Sequence, residues 1–351
     1  IQGTGNADIF FIGDSKTQGK TRYFSAIREI FSTIAYSESP CYTSFFPLNE
    51  GDFNSVTQTG TWTPISLTGD AAYSPTLDGL STSAAGASLT VNVDITAAID
   101  YRFDQVRLYY MQKAGGGSFN YAVGAVTGTV NTAGPDGLAW VDFTVPYDEE
   151  DLVIDGVSGD ISIFGANLTY SNPEIRLWKL GRGGTTTADW AASIGLPALL
   201  ADVLPKSVII HLGTNDMSQS RSVADYITDL TTIITTVKTN SPNTDVTIVS
   251  PHDVGASATN EYDFFLAAKK LAVEQECNFV DLYNAHGDNA AAQAAGTFAD
   301  DLHETSAGGL IVAREIANTL GLKENANRIK TNSGLLGEPI QGIGLGNRLM
   351  G

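Results

Sequence analysis

A serine, a histidine and an aspartate in this 351-residue chain are of the right types, and sit at suggestive places, to carry out acyl transfer. Ser15 follows the apolar run DIFFIG in DIFFIGDSKTQGKT, just past what reads as the C-terminal end of a strand. A serine hydroxyl is a poor nucleophile until a base takes its proton. The chain has four histidines, His211, His252, His286 and His303. His303, in FADDLHETSAGG, follows Asp300 by three residues, a spacing that lets a carboxylate fix the ring tautomer and stabilise the imidazolium. Asn215, in IIHLGTNDMS, can donate its side-chain amide to a developing oxyanion. Gly183 and Gly184, in KLGRGGTTTADW, let a backbone N–H approach a substrate closely. The helix that starts nearby favours negative charge. Each feature also has a plainer reading. Ser15 could cap a helix, Asp300 and His303 could form a polar helix start, and Gly-Asn-Asp is a common turn.

The same first turn could instead cradle phosphate, but its register is wrong. A phosphate loop places four residues between its first Gly and Gly-Lys-Ser/Thr. Here five separate Gly13 from Gly19-Lys20-Thr21, and Asp14 puts negative charge where phosphate oxygens would lie. Asp281 in NFVDLY is a poor magnesium ligand candidate, and GIGLG near the C-terminus has no strand leading into it. No Gly-x-Ser-x-Gly elbow occurs, which argues against the other large serine-esterase fold.

The elements that must position these residues change character twice. DIFFIG predicts a strand and TRYFSAIREIFSTIAY a helix with Phe24, Ile27, Ile30, Phe31 and Ile34 on one face. From about Cys41 to Pro173, runs such as SLTVNVDI, FDQVRLYYM, WVDFTV and GDISIFGANLTY alternate between Gly, Asn, Asp and Pro turns and predict β-structure throughout. From Glu174, apolar strands (EIRLWKLG, KSVIIHLG, DVTIVS, NFVDLY) alternate with amphipathic helices, among them TTADWAASIGLPALLADVL read largely as one helix. That alternation predicts an α/β fold, a parallel sheet covered on both faces. The simplest organisation is a discontinuous α/β domain of residues 1–40 and 174–322, interrupted by a β-sandwich of residues 41–173. A Gly-rich tail of residues 323–351 follows.

Four blocks, GDS, a Gly-rich turn after the second parallel strand, GTND after the third, and DDLH before the last helix, occur in order. In this the chain resembles the SGNH/GDSL hydrolase family over about residues 8–38 and 174–322. The resemblance implies a flavodoxin-like three-layer α/β/α fold, with Ser15 as nucleophile, His303 as general base and Asp300 as its partner. Asp301 is adjacent, but the family spacing favours Asp300. The oxyanion hole it implies is the N–H of Ser15, the N–H of Gly184 and the amide of Asn215, with Gly181 and Gly183 close in register to Gly184. The first block departs from the family by reading Gly-Asp-Ser-Lys. Members interrupted by a jelly-roll-like domain resemble polysaccharide deacetylases of bacteriophage tail fibres and spikes, and secreted bacterial carbohydrate esterases.

Composition narrows the substrate and partners. The formal net charge is −19, and residues 41–173 hold fifteen acidic and three basic residues, Arg102, Arg107 and Lys113. Such a chain repels nucleic acid and anionic membranes, and no apolar run approaches a membrane span. It suits an extracellular setting and a neutral or weakly charged substrate. Cys41 and Cys277 have no metal-ligand spacing and read as two free buried thiols. No metal or organic cofactor is implied. The small polar residues around the motifs favour a short acyl group, acetate most simply. Trp62, Tyr109, Tyr110, Tyr121 and Trp140 are candidates for stacking on sugars of a bacterial polysaccharide, although any single ring could instead fill the sandwich core. On the phage resemblance, the tail would join the chain in a homotrimer. The competing readings are a lysophospholipase or thioesterase of the same family, and a non-catalytic carbohydrate-binding virion protein.

Overall fold

The computed structural model describes residues 7–19, 22–34, 42–45, 54–93, 103–148, 150–171, 175–255 and 260–322. Cys41 and the tail 323–351 lie outside these. Five strands form one parallel sheet in the spatial order Ile175–Gly181, Ala7–Gly13, Ser207–His211, Asp245–Val249 and Asn278–Val280. Numbered along the chain this is 2-1-3-4-5, the flavodoxin-like order, whose switch point lies between the first and third strands.

The central strands are buried on both faces, and alternate side chains enter two cores. Phe10, Ile12, Val208 and Ile210 pack with residues of the helices Gly195–Val203, Val223–Asn240 and Glu261–Glu274. Ile9, Phe11 and Ile209 pack with residues of the helices Tyr23–Ile34 and Ser306–Thr319. The period-2 alternation of an apolar strand thus produces three layers. Gly309 lets the last helix lie against the start of the first long one, since a Cβ there would come within 2.7 Å of the Arg22 and Tyr23 backbone.

The segment 186–204, read largely as a single helix, is two. Thr187–Ala191 ends before Gly195–Val203 begins. The break follows from a contact: the Ile194 N–H donates to Ala72 O at 2.9 Å, and a Cβ on Gly195 would lie 1.9 Å from the Tyr73 carbonyl oxygen. The chain leaves helical geometry to seat this Gly against the short 3-10 turn Gly69–Tyr73.

Between the first long helix and the second parallel strand, two antiparallel sheets form. One has six strands, the path Gly137–Asp148, Phe103–Gln112, Ile161–Thr169, Asp78–Thr82 and Thr63–Ser66, with Thr43–Ser44 also paired to Ile161–Thr169. The other runs Asn54–Thr59, Ser88–Val93, Leu152–Ser158, Ser118–Val123 and Val126–Asn131. Leu80, Val106, Leu108 and Ile163 of the first share a core with Leu89, Phe119, Leu152 and Ile154 of the second. The outer face of the six-stranded sheet is also covered: Tyr109, Met111 and Phe164 join Trp178, Leu199 and Leu200 of the parallel-sheet unit. Each fully buried Leu, Phe or Met in this seam contributes roughly 1.5–3 kcal/mol.

That double burial changes the reading of the aromatic residues. Tyr109 is fully buried, and Trp62 and Tyr110 are each 8% exposed, so these three rings are core and not sugar platforms. Tyr121 stacks on Phe143 at 4.2 Å, and the Arg107 guanidinium lies 5.1 Å from the Trp140 ring centroid. Cys277 is a free thiol but only half-buried.

Candidate active site

The site lies at the C-terminal edge of the parallel sheet. The strand Ala7–Gly13 ends in a glycine because a Cβ there would fall 1.9 Å from Thr17 Oγ1. Asp14 then caps the one-turn helix Ser15–Gln18, its carboxylate accepting the Lys16 N–H at 2.9 Å. Gly181, at the end of the neighbouring strand, meets this turn in the same way: a Cβ would be 2.5 Å from the Gln18 nitrogen. Two glycines on adjacent strands therefore let the Ser15 turn sit directly over the sheet edge.

Ser15 Oγ lies 3.0 Å from His303 Nε2, although 288 positions separate them. His303 Nδ1 lies 2.9 Å from Asp300 Oδ2. With Nδ1–H donated to the carboxylate, Nε2 is left to accept the serine proton. Asp300 Oδ1 also accepts the Leu302 N–H at 2.8 Å and the His303 N–H at 2.7 Å. Partial burial opposes ionisation of Asp300, but these hydrogen bonds outweigh it and hold its carboxyl below the ordinary range. Asp301 faces elsewhere, its Oδ1 accepting Gln293 Nε2 at 2.8 Å, so Asp300 is the carboxylate on the ring. The His loop is pinned on both sides: Ala299 N–H donates to His303 O, and Thr305 caps the helix Ser306–Thr319 through its hydroxyl.

The glycine loop and the Asn215 loop are fastened to each other. Asn215 Nδ2 donates to Thr185 O at 2.9 Å, and Gln219 Nε2 to Gly184 O at 3.3 Å. The fully buried Asp216 accepts the Thr187 hydroxyl at 2.6 Å, the Thr187 N–H, and Arg221 Nη1 at 2.6 Å. Gly183 and Gly184 differ in a decisive way. The Gly183 N–H is taken by Gln18 Oε1 at 2.7 Å. The Gly184 N–H has no partner among the described residues; its φ of +79° is one that glycine adopts freely, and the space beside its Cα is open. The Ser15 N–H, at the first position of its helix, is likewise outside the helical ladder.

Several participating residues were not singled out by the sequence. Lys16 ties the serine turn to Thr214, Gln18 ties it to Gly183, and Asp216 holds Thr187. The available signal was Lys16 itself, a charge directly after the serine in a turn that two Gly-ended strands must bury. His211, His252 and His286 do not join the serine. His211 and His252 are fully buried and His286 is half-buried; burial and the nearby Lys16 ammonium push all three down, His286 to about 4. Among the described residues no His, Cys, Asp and Glu group has metal-binding geometry.

A serine, imidazole and carboxylate in hydrogen-bonded series at the edge of a 2-1-3-4-5 parallel sheet define a carboxylic ester hydrolase with the SGNH hydrolase fold. Residues 147–309 match the family model of the GDSL-like Lipase/Acylhydrolase family. The segment contains Gly184, Asn215, Asp300 and His303; Ser15 lies outside it in sequence and is returned to it by the fold. Among solved structures, one titled a peptidoglycan O-acetylesterase in action matches with a TM-score of 0.73 at 17% identity, over 91% of this chain and 91% of that one. An acetylxylan esterase from Geobacillus stearothermophilus aligns over 42% of this chain and 74% of its own, with 20% identity and a TM-score of 0.34. No sequence among curated proteins matches.

Proposed function

We propose that this protein removes O-acetyl groups from a polysaccharide, a bacterial surface glycan, outside the cell, on a phage tail or as a secreted enzyme. The observation that carries the reading is the Ser15–His303–Asp300 series beside a free Gly184 N–H. His303 Nε2 takes the Ser15 proton as Oγ attacks the acetyl carbonyl. The tetrahedral oxyanion is held by the N–H groups of Ser15 and Gly184 and by the Asn215 amide, each such donor contributing about 3–4 kcal/mol in comparable sites. His303 then returns the proton to the departing sugar hydroxyl. Water, activated by the same ring, releases acetate from Ser15.

A short acyl group fits the small, polar surroundings, where Gly183, Gly184, Thr185 and Asn215 offer no apolar slot for a long chain. The polysaccharide reading draws on the antiparallel sheets beside the site, on the net charge of −19, and on the likeness of the whole chain to a structure titled for an O-acetylesterase of peptidoglycan. The test is acetate release from a panel of O-acetylated bacterial polysaccharides, alongside hydrolysis of nitrophenyl esters of rising chain length. Acetate release and a preference for the acetyl ester are expected. An optimum at medium or long acyl chains would reject the acetylesterase in favour of a lysophospholipase or thioesterase, and acetate release unchanged by Ser15→Ala would leave a non-catalytic binding protein.

A further inference from the structure

At the opposite end of the parallel sheet from Ser15, the seam between the six-stranded antiparallel sheet and the parallel-sheet unit opens into a cleft of about 440 Å³. Its wall carries Gln105, Arg107, Asp142 and Asn167 from the antiparallel sheet, and Arg176 and Asp202 from the other side. Arg176 pairs in register with Asp8, whereas Gly181 pairs with Gly13 beside the nucleophile. Five residues of strand put the two sites about 16 Å apart along the sheet.

The electrostatics of the cleft select its ligand. Arg107 holds both Asp142 oxygens, at 2.6 and 2.8 Å, and also pairs with Asp202. Arg176 donates Nε to Asp8 at 2.7 Å and pairs with it a second time; Trp178 Nε1 also donates to Asp8, at 2.6 Å. Each guanidinium is therefore already charge-matched, and an incoming anion would have to displace a carboxylate. Hydrogen-bonding capacity nonetheless remains. Asn167 is only 6% exposed, yet its Oδ1 has no hydrogen-bond partner among the described residues. An acceptor buried this way is costly unless something donates to it. The cleft's volume lies within the usual range for small-ligand sites, about 300–1,000 Å³.

We propose that this cleft binds a neutral polyhydroxylated ligand, a sugar unit whose hydroxyls donate to Asn167 Oδ1 and to the carboxylates and accept from Gln105. Resting on the polysaccharide reading above, it is a second glycan site that holds the polymer while another unit enters at Ser15. The separation from the nucleophile makes it a tethering site and not part of the acyl pocket.

The test uses the full chain carrying Ser15→Ala, so that no probe is consumed, and titrates it with a neutral N-acetylglucosamine tetramer, xylotetraose and an anionic galacturonate tetramer. At least one neutral oligosaccharide is expected to bind, and the anionic one is not. Adding Asn167→Leu, or Thr144→Trp at the exposed mouth of the cleft, should weaken that binding at least tenfold; Asn215→Ala should not. With Ser15 intact, the same two cleft variants should hydrolyse nitrophenyl acetate like the parent while raising KM on acetylated polymer. No binding by either neutral probe, binding unchanged by both cleft variants, or stronger binding of the anionic probe would overturn the proposal. Nitrophenyl acetate hydrolysis by the parent protein reports on the esterase reading separately, so the two ideas can fail independently.

Discussion

Lys16 Nζ, 1% exposed, hydrogen-bonds to Thr214 Oγ1 and lies 3.3 Å from Asp14 Oδ2. The residue after the nucleophile is thereby fastened to the residue before Asn215. One ammonium ties together two loops that, in the proposed reaction, both supply oxyanion donors. Lys16→Met should therefore lower kcat on nitrophenyl acetate with little change in KM. Misplacement of a donor by about 1 Å can cost about 10²-fold. Equal kcat in the variant, with the protein folded, would show that the two loops hold their spacing without this tie.

The two neighbouring carboxylates should separate sharply. Asp300 accepts from the His303 ring and from two backbone N–H groups, while Asp301 binds Gln293. Asp300→Asn would favour the wrong imidazole tautomer, for which a loss of about 10⁴-fold in kcat is the expected scale. Asp301→Asn should leave kcat within a few-fold. Steady-state kinetics of the two variants decides it, and the reverse ranking would reassign the partner.

Asn215 fastens the glycine loop through Thr185 O, and in the proposed reaction it also offers its amide to the oxyanion. Asn215→Ala should lower kcat by about 10²–10³-fold. Thr185 gives only its carbonyl to this bond, so changing the Thr185 side chain to Val should cost far less. Comparable losses in both would mean that loop geometry, not the amide donor, dominates.

Glu304 sets a pH signature for stability. It is 4% exposed, neither carboxylate oxygen has a hydrogen-bond partner among the described residues, and burial pushes its pKa up to about 7. The folded state thus holds this proton more tightly than the unfolded one, whose ordinary value is 4.5. Its contribution is fully present below that value and is lost as pH rises through about 7. Glu304→Gln should gain stability relative to the parent as pH rises across that window, measured by urea unfolding at about pH 5 and about pH 8. His286, held near 4 against an ordinary 6.5, acts in the opposite sense: its contribution is present above 6.5 and is lost as pH falls toward 4. A Glu304→Gln effect independent of pH would contradict the burial argument.

The parallel strands were legible as apolar runs, and the side chains that the fold brings together could be picked out as polar residues beside glycines or ahead of a helix. Ser15 and Asn215 sit just past the ends of such runs, and Asp300 and His303 in the loop before the last helix. What could not be read was anything depending on which surfaces meet. The strand Phe103–Gln112 alternates, but both its faces are covered, so Tyr109 is as buried as Leu108. Alternation alone cannot tell a solvated face from one that packs on a second unit. The break before Gly195 depends on Tyr73, some 120 positions away, and the choice of Gly184 over Gly183 depends on Gln18 reaching across from the first turn. In each case the deciding partner is distant in sequence, and only the three-dimensional packing brings it near.

The central claim is that Ser15 carries the acyl group. The direct measurement is mass spectrometry of peptides from protein quenched during turnover of nitrophenyl acetate. An acetyl group on the peptide containing Ser15, absent from His303→Ala protein, is the predicted result. Steady turnover with that peptide unmodified, and with Ser15→Ala as active as the parent, would contradict the account.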